Sequence, residues 1–394
     1  MKYRVDKRSN KELSILGMGC MRFPKNMEKT EELVCQSIEK GINYFDTAYI
    51  YPGNEETLGK ILKKYQLREK IYIATKLPIM LIRNTKDFDK YFLKELERLQ
   101  TNYIDYYLMH MITSYAQWKA MCKLGIREWI QSKKEEGSIH RIGFSFHGER
   151  GEFLKVLDAY DWEFCQIQYN YSDENYQAGV IGLKKAAEKE IPVIIMEPLL
   201  GGKLAWGLPT EAAKVLKKAD AKKSPAEWAL RWLWNQPEVS VVLSGMDAME
   251  QLEENVRIAS EIEAGEMSGE EQQTIEEVRD IFRKSNKIPC TGCGYCQPCP
   301  KNVNIPACFA AYNASFALDK KTGFHQYVTS TGPFAEQESR ASLCVNCHKC
   351  EHHCPQNIKI SEELKIVKKK MEPLWYYIGI KVARVLLRKN KKQT

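Results

Sequence analysis

The 394-residue sequence lacks the long apolar run that a membrane-spanning helix needs, since no run approaches about 18 residues. Its opening, MKYRVDKRSN, is charged and polar and does not have the pattern of a secretory signal, so we expect a cytoplasmic protein. Low-complexity segments are also missing, and 28% charged and 10% aromatic residues are not the composition of a disordered chain. We therefore expect a chain that folds throughout, into one large domain and a smaller one.

The sequence also lacks an excess of positive charge outside its C-terminal end. The formal net charge is +8, but residues 359–394 hold 11 Lys and Arg against 3 Glu. Residues 1–358 therefore carry 48 charges of each sign. This balance argues against nucleic-acid binding by the body of the protein.

The C-terminal residues 371–394 form a basic amphipathic tail. On a helical wheel Lys381, Arg384 and Arg388 share one face, and apolar residues such as Trp375 cover much of the rest. Such a helix could contact an anionic membrane surface peripherally, receive an acidic redox partner, or pack on its own protein.

No Gly-rich turn of the G-x-G-x-x-G type follows the first β-rich run, which disfavours an open dinucleotide-binding sheet. Instead, eight short β-rich runs alternate with segments of helical spacing. The runs are LSILGMGCM (13–21), INYFDTA (42–48), IYIATK (71–76), IDYYLMH (104–110), IHRIGFSFH (139–147), FCQIQYN (164–170), VIIMEPL (193–199) and VSVVLSGM (239–246). Eight strand–helix repeats in about 260 residues predict an α/β fold, a closed (β/α)8 TIM barrel, in residues 1–285.

Ionisable side chains occur where three consecutive strands of such a barrel end, which is where barrels place their active sites. The second strand ends in Asp46, within the second run, with Tyr51 in the next loop; Lys76 ends the third run and His110 ends the fourth. A nearby ammonium makes a tyrosine hydroxyl a better proton donor. Lys76 could activate Tyr51 in this way, with Asp46 holding Lys76 and His110 orienting a substrate oxygen. The set predicts protonation of an oxygen as it becomes an alkoxide, one half of a carbonyl reduction.

The motifs FDTAYIY, IATK and DYYLMH resemble those that carry the Asp, Tyr, Lys and His tetrad of the aldo-keto reductases. The resemblance covers about residues 10–285. It implies a nicotinamide cofactor across the barrel mouth and a small carbonyl or alcohol substrate. The cofactor-binding residues that it implies are Gly19, Met21, Asp46, Ser145, Gln168, Met196, Pro198, Leu199, Gly201, Gly245, Asp247, Gln251, Glu254 and Asn255.

Four positions depart from the family's usual pattern or bear on specificity. Met196 stands where many members have an aromatic residue against the nicotinamide, and Phe146 where an Asn often follows the Ser. The segment SGMDAMEQLEEN has no Lys or Arg, and the Asp247 carboxylate would repel a 2′-phosphate. We therefore expect NAD(H) to bind better than NADP(H). His147 is either a substrate contact or a structural histidine.

Eight of the thirteen cysteines form two tight groups, CTGCGYCQPCP (290–300) and CVNCHKCEHHCP (344–355). The second has the C-x2-C-x2-C-x3-C-P spacing of bacterial ferredoxins, and the first is one residue shorter before its last cysteine. In two-cluster ferredoxins the fourth cysteine of each run ligates the other cluster. Two [4Fe–4S] clusters are thus implied, one on Cys290, Cys293, Cys296 and Cys354, the other on Cys344, Cys347, Cys350 and Cys299. Structural zinc is the alternative.

A barrel followed by a ferredoxin-like dicluster domain in residues 286–370 resembles a ferredoxin-fused branch of the aldo-keto reductases found mainly in anaerobes. Nicotinamide passes two electrons as hydride, whereas each cluster passes one at a time. Three functions are therefore open. The chain is a carbonyl-reducing enzyme linked to electron transfer, an iron–sulfur carrier that uses a flavin or a ferredoxin- or flavodoxin-type partner, or a nucleotide-binding sensor with a vestigial tetrad.

Overall fold

The structure, a computed structural model, describes residues 1–332 and 338–377. The chain divides into two compact units, one of Met1–Leu199 and Ala226–Gln272, the other of Leu200–Pro225 and the residues from Gln273 onward. The domain boundaries expected after residues 285 and 370 stay predictions. The basic face of Lys381, Arg384 and Arg388 lies outside the described residues.

The first unit contains the predicted barrel. In chain order the strands of this unit are β1 (Tyr3–Asp6), β2 (Lys11–Ser14), β3 (Leu16–Gly19), β4 (Tyr44–Asp46), β5 (Tyr72–Leu77), β6 (Ile104–Ile112), β7 (Ile139–Phe146), β8 (Phe164–Gln168), β9 (Val193–Met196) and β10 (Val239–Ser244). The first two form an N-terminal pair, and the barrel begins at β3. Strands β3 to β10 are parallel and close in the order β10-β3-β4-β5-β6-β7-β8-β9. The (β/α)8 prediction is confirmed.

Helices connect the strands. In chain order the described residues form α1 (Met27–Glu39), α2 (Asn54–Lys64), α3 (Lys86–Leu99), α4 (Tyr115–Lys123), α5 (Ile126–Glu135), α6 (Arg150–Leu157), α7 (Gly179–Glu188), α8 (Thr210–Ala219), α9 (Pro225–Trp234), α10 (Met249–Glu261), α11 (Gly269–Ser285), α12 (Ile305–Ala317), α13 (Lys320–Thr331) and α14 (Ile360–Met371). Two helices rather than one follow β6 and β9, so the simple alternation read from the sequence is incomplete. None of these helices is long and apolar enough to cross a membrane.

An antiparallel hairpin, β1 and β2, precedes the barrel and was not predicted. Its turn is held by the Asp6 carboxylate, which accepts hydrogen bonds from the Arg8 and Ser9 backbone N–H groups at 2.9 and 3.3 Å. The run at 13–21 therefore contains two strands, because Leu13 and Ser14 belong to the hairpin and β3 begins at Leu16. Asp6 also accepts a 2.9 Å hydrogen bond from the Tyr106 hydroxyl of β6, which ties the hairpin to the barrel.

The second unit has its own apolar core. Helix α12 packs against α13 and α14, and the core includes Phe309, Tyr327 and Val367. Glu372 is buried next to this core and accepts hydrogen bonds from the Tyr327 hydroxyl at 2.6 Å and the Ser342 backbone N–H at 2.9 Å. The segment between the two cysteine groups thus forms α12 and α13.

Candidate active site and cluster-binding cysteines

Three of the four predicted tetrad residues lie on the inner face of the barrel. Side chains alternate between the two faces of a strand, so residues two positions apart share a face. The residue two positions before each of the three belongs to the apolar core inside the barrel: Tyr44, Ala74 and Leu108. Asp46, Lys76 and His110 therefore point inward from β4, β5 and β6, and all three are buried.

An ion pair joins Lys76 to Asp46. The Lys76 Nζ lies 2.6 Å from Asp46 Oδ1 and donates a second hydrogen bond of 2.6 Å to the Thr47 carbonyl oxygen. The other carboxylate oxygen, Oδ2, accepts a 3.0 Å hydrogen bond from Gln166 Nε2. Burial raises the pKa of Asp46, while Lys76 and Gln166 act in the opposite direction. Because both carboxylate oxygens have donors, the geometry suits the ionised pair.

Tyr51 is half-buried beside Lys76 and His110. The Lys76 Nζ lies 5.4 Å from the centroid of the Tyr51 ring, and the His110 ring meets that ring edge to face with 6.2 Å between centroids. Burial, with the charge of Lys76 and the neighbouring His147, holds the pKa of His110 well below its ordinary value. His110 is therefore a neutral imidazole at neutral pH, able to donate one hydrogen bond but not to serve as the proton source.

An irregularity in β6 lies directly after His110. Met111 has a φ of +59°, which is uncommon for a non-glycine residue, and the pairing of β6 with β7 shifts between Met109 and Ile112. Ser145 on β7 accepts a 2.9 Å hydrogen bond from the Met111 N–H through Oγ. The Ser145 O–H can still donate to a ligand, so this contact is compatible with the predicted role in cofactor binding.

Six of the residues predicted to bind the cofactor lie at or just after the ends of β3, β8 and β9, on the part of the rim that does not carry the tetrad. They are Gly19 and Met21 at and after the end of β3, Gln168 at the end of β8, and Met196, Pro198 and Leu199 at and after the end of β9. Gln168 and Met196 are cross-strand partners, and Gln168 Nε2 donates to Asp173 Oδ2 at 3.1 Å. Gly201 instead falls in the second unit, with a φ of +67°.

The residues predicted at the adenosine end lie between β10 and α10. They are Gly245 and Asp247, both exposed, then Gln251, Glu254 and the buried Asn255. Gln251 Oε1 accepts a 3.0 Å hydrogen bond from the Asp247 backbone N–H, and Asn255 Nδ2 donates to Ser244 Oγ at 3.1 Å. Both amides therefore help to shape the segment after β10, and each keeps a further polar group for a ligand.

A contact that could not be inferred from the sequence lies at Gly245. The side chain of Arg22, from the turn after β3, packs so closely over Gly245 that a Cβ there would lie 3.1 Å from Arg22 Cδ. Arg22 is exposed, and its guanidinium has no ion-pair partner in the part of the chain that the structure describes. A cation thus lies near a segment that itself contains no Lys or Arg.

His147 is buried directly after β7, with its backbone N–H donating to the Ile112 carbonyl oxygen at 2.9 Å. Burial, aided by the charge of Lys76, lowers the pKa of His147 to about 4. It is therefore neutral and lies within electrostatic range of the tetrad. A contact between His147 and the substrate stays a prediction.

Gln166 and a buried ion pair were missed by the sequence analysis. Gln166 precedes the predicted Gln168 by two positions, so the same-face rule could have found it. Glu55, buried at the start of α2, accepts hydrogen bonds from Thr75 Oγ1 at 2.7 Å and Arg98 Nη1 at 3.1 Å. Arg98 Nη1 also donates to the Tyr49 carbonyl oxygen at 3.2 Å. These contacts tie the loop that carries Tyr51 to α3.

Three cysteines of the first group and one of the second line a single cavity in the second unit. They are Cys290, Cys293, Cys296 and Cys354, and apolar residues including Ile305 and Phe309 complete the lining. Burial and the three other thiols raise the pKa of Cys296 to about 12. This is the cross-paired set that the ferredoxin resemblance implies, and the loop between the first cysteines turns through Gly292 and Gly294, whose φ values are +72° and +80°.

Of the other four grouped cysteines, Cys299 and Cys344 lie within electrostatic reach of Cys350. Burial, with the thiols of Cys344 and Cys299 nearby, raises the pKa of Cys350 to about 11. Cys347 is exposed, and Cys344 Sγ accepts a 3.5 Å hydrogen bond from the Asn346 N–H. No group of three or more His, Cys, Asp or Glu side chains within residues 1–332 and 338–377 is arranged to hold a single metal ion.

The sequence model described as the Aldo/keto reductase family matches residues 15–280, more than half of the chain. The chain belongs to the aldo/keto reductase family. It is an oxidoreductase of that family, as the tetrad motifs predicted. A model of a 4Fe-4S dicluster domain matches residues 289–359, so this aldo/keto reductase carries a C-terminal dicluster domain that accounts for the two cysteine groups.

The similarity of this aldo/keto reductase to known proteins extends over its barrel. L-galactose dehydrogenase of Arabidopsis thaliana is 31% identical over 292 residues, which are 67% of this chain and 88% of the relative. The holo form of aldo-keto reductase AKR11C1 from Bacillus halodurans superposes with a TM-score of 0.60 at 26% identity, over 71% of this chain and 96% of that one. A Klebsiella pneumoniae aldo/keto reductase in complex with NADP and acetate shares the fold, with a TM-score of 0.58, 20% identity and the same coverage.

Proposed function

We propose that the barrel reduces an aldehyde or ketone with a nicotinamide cofactor, or catalyses the reverse alcohol oxidation, with Tyr51 as the proton donor. The observation that carries this proposal is the buried Lys76–Asp46 ion pair, whose ammonium lies 5.4 Å from the Tyr51 ring centroid. A fixed positive charge there favours the phenolate that Tyr51 becomes when it gives up its proton. Neutral His110, beside the same ring, can donate a hydrogen bond to the substrate oxygen.

The ends of β7 to β10 and of β3 would hold the cofactor. The Ser145 hydroxyl and the Gln168 amide are suited to its carboxamide, and Met196 would lie beside the ring in place of an aromatic residue. When bound, the cofactor supplies or accepts the hydride that amino-acid side chains cannot. The Klebsiella pneumoniae enzyme with NADP has the same fold and supports a dinucleotide across this rim.

NAD(H) is the preferred cofactor in this proposal. Asp247 is exposed beside the predicted adenosine site, where its carboxylate would repel a 2′-phosphate and can accept a hydrogen bond from a 2′-hydroxyl. The guanidinium of Arg22, near Gly245, would attract the phosphates of either cofactor, so the preference rests on the Asp247 carboxylate. The test compares dissociation constants of NADH and NADPH for the wild type, Asp247→Ser and the control Glu250→Gln at one salt concentration. Equal constants in the wild type would contradict the preference.

Carbonyl reduction itself is tested with Lys76→Met, which removes the ammonium and keeps a side chain of similar length. The wild type should oxidise NADH or NADPH with one member of a panel of aldehydes and ketones, forming one alcohol per cofactor. Lys76→Met should lose most of this rate, within the range of about 10²–10⁴ that general acid catalysis contributes, and still bind the cofactor. A wild type that binds the cofactor and reduces no carbonyl would favour a nucleotide-binding sensor.

The dicluster domain is proposed to transfer electrons through two [4Fe–4S] clusters. The cavity that brings Cys354 to Cys290, Cys293 and Cys296 supports one ligand set. The closeness of Cys299, Cys344 and Cys350 supports the other, which Cys347 would complete. Because hydride carries two electrons, a flavin at the barrel or a separate redox partner would have to connect the two chemistries. Anaerobic NADH with and without added flavin tests this, since bleaching near 400 nm would reveal electron flow to the clusters.

A further inference from the structure

Two lysines from separate segments of the second unit lie over one exposed aromatic ring, and a third lies within electrostatic reach of them. Lys370 lies near the end of α14, and its Nζ is 3.1 Å from the centroid of the Phe316 ring. Lys287, three residues before Cys290, places its Nζ 5.5 Å from the same centroid. Lys320 begins α13. The pKa of Lys370 is lowered, first by burial and then by the charges of Lys320 and Lys287, which places all three ammonium groups within electrostatic reach. We name Lys287, Phe316, Lys320 and Lys370 the Phe316 patch.

The positive charge of the Phe316 patch is only partly offset within the protein, by the Asp319 carboxylate directly before Lys320. None of its lysines forms an ion pair with a carboxylate of residues 1–332 or 338–377. The neighbouring Asp319 carboxylate accepts hydrogen bonds from the Lys321 and Thr322 N–H groups at 2.8 and 2.9 Å, as the N-cap of α13. Cation–π contact with Phe316 offsets only part of the repulsion between like charges. An external anionic surface would offset the rest.

Exposed apolar surface accompanies these charges. Phe316 is 39% exposed, and Ile366, one helical turn before Lys370 on α14, is 48% exposed. Glu362 and Glu363 lie one turn before Ile366 on α14, whereas the ammonium groups lie at Phe316. An apolar ring beside charges of one sign is typical of surfaces that bind a protein of opposite charge. A small anion such as phosphate would use the ammonium groups but not the apolar side chains.

The Phe316 patch lies next to one of the cysteine sets. Phe309, which lines the cavity of Cys290, Cys293, Cys296 and Cys354, is seven residues before Phe316 on α12. At 1.5 Å per residue this places the patch about 10 Å along the helix from the cavity. Lys287 is joined to the same cavity by only two residues of chain.

We propose that the Phe316 patch is the docking surface for an acidic one-electron carrier protein of the ferredoxin or flavodoxin type. This rests on the iron–sulfur function proposed above. One electron leaves the reduced carrier and enters the dicluster domain, with no bond made or broken and no group transferred. The patch holds the carrier's acidic surface near the Cys290 cavity, and its lysines speed the encounter by attraction at long range.

The test uses the full chain with its clusters under anaerobic conditions and an acidic flavodoxin as the probe. Binding is measured by calorimetry for the wild type, for Lys287→Glu/Lys320→Glu, and for the control Lys217→Glu/Lys218→Glu, which makes the same charge change on exposed lysines of α8. We expect the dissociation constant to rise about tenfold or more at low salt in the patch variant, with a weaker salt dependence, and about twofold or less in the control.

Two further measurements separate the possible failures. Dithionite should bleach the clusters equally in all three proteins, and electron transfer from reduced flavodoxin should slow only in the patch variant. Unbleached protein would overturn the iron–sulfur function together with the docking proposal. Normal bleaching with equal flavodoxin binding by all variants would overturn the docking proposal alone. Lost flavodoxin binding in Lys349→Glu, beside Cys350, with retained binding in the patch variant would place the docking surface elsewhere and overturn the proposal. Phosphatidylserine vesicles that bind the wild type but not the patch variant, with flavodoxin binding unchanged, would also overturn it.

Discussion

Lys76 on β5 reaches Asp46 on β4 with 2.6 Å between Nζ and Oδ1, and the two side chains are only 2% and 5% exposed. Burying two charges costs free energy that their mutual attraction does not reliably return. A barrel that needed only stability would be served as well by apolar residues at these positions. The pair is understandable as a fixed positive charge beside Tyr51, and this is the basis of the proposed chemistry.

Asp46→Asn should remove the negative charge of the pair and keep the shape of the side chain. The variant leaves the Lys76 ammonium buried without its counter-ion, so we expect kcat for carbonyl reduction to fall by about 10² or more. Steady-state kinetics measured well below the unfolding temperature check this. Asp158→Asn, which alters an exposed carboxylate paired with Lys189, is the control and should stay within about twofold. A normal kcat in Asp46→Asn would mean that the pair has no catalytic part.

The Arg98–Glu55 ion pair should hold the loop of Tyr51 in place. Glu55 is fully buried, and Arg98→Met leaves its carboxylate without its cation, so the free energy of unfolding should fall by about 3–5 kcal/mol. Lys94→Met, on the same helix but in an exposed pair with Glu97, should change it by less than about 1 kcal/mol. Urea unfolding measures both. Equal losses of unfolding free energy in the two variants would show that the buried pair contributes no more to stability than the exposed pair.

The buried His147 should make the protein less stable in mild acid. Its pKa is about 4 in the folded protein, below the ordinary value of about 6.5, so below pH 6.5 the unfolded state takes up a proton that the folded state does not. Between pH 7.5 and 5.5 this should cost about 1 kcal/mol of unfolding free energy. Urea unfolding at the two pH values should show a smaller loss for His147→Gln than for the wild type. The same loss in both proteins would argue against a neutral buried His147.

Cys354→Ser should remove one cluster and leave the other. Cys354 lines the cavity of the first three cysteines although it lies in the second group of the sequence. We therefore expect iron to fall from about eight to about four atoms per chain, with one cluster signal retained in electron paramagnetic resonance. Cys308→Ala, which changes a buried cysteine of the same unit outside both groups, should keep about eight. Unchanged iron in Cys354→Ser would place Cys354 outside the ligand sets.

The fold and the tetrad could be predicted because both follow periodic rules. Eight β-rich runs predicted the barrel, and the strand ends at Asp46, Lys76 and His110 predicted where polar groups would meet. The cysteine spacing likewise predicted the cross-paired set that the cavity at Cys354 now supports. In each case a short local pattern and a general rule of the fold were sufficient.

The remaining features depend on contacts that no local pattern reveals. The hairpin of β1 and β2 is made of short charged strands, and it is fixed by a contact from Asp6 to Tyr106, 100 residues away. Arg98 meets Glu55 through the packing of α3 on α2, and Arg22 reaches Gly245 because β3 and β10 are neighbours only once the barrel closes. Long-range packing, rather than composition, decides each of these.

Proton donation by Tyr51 in a carbonyl reduction is tested by a single-turnover experiment with Tyr51→Phe. Enzyme preloaded with reduced cofactor is mixed anaerobically with the best aldehyde of the panel, and cofactor oxidation is followed. We expect the wild type to oxidise the cofactor and Tyr51→Phe to do so at a rate lower by about 10²–10⁴, with an unchanged cofactor dissociation constant. A Tyr51→Phe enzyme that reacts as fast as the wild type would contradict proton donation by Tyr51.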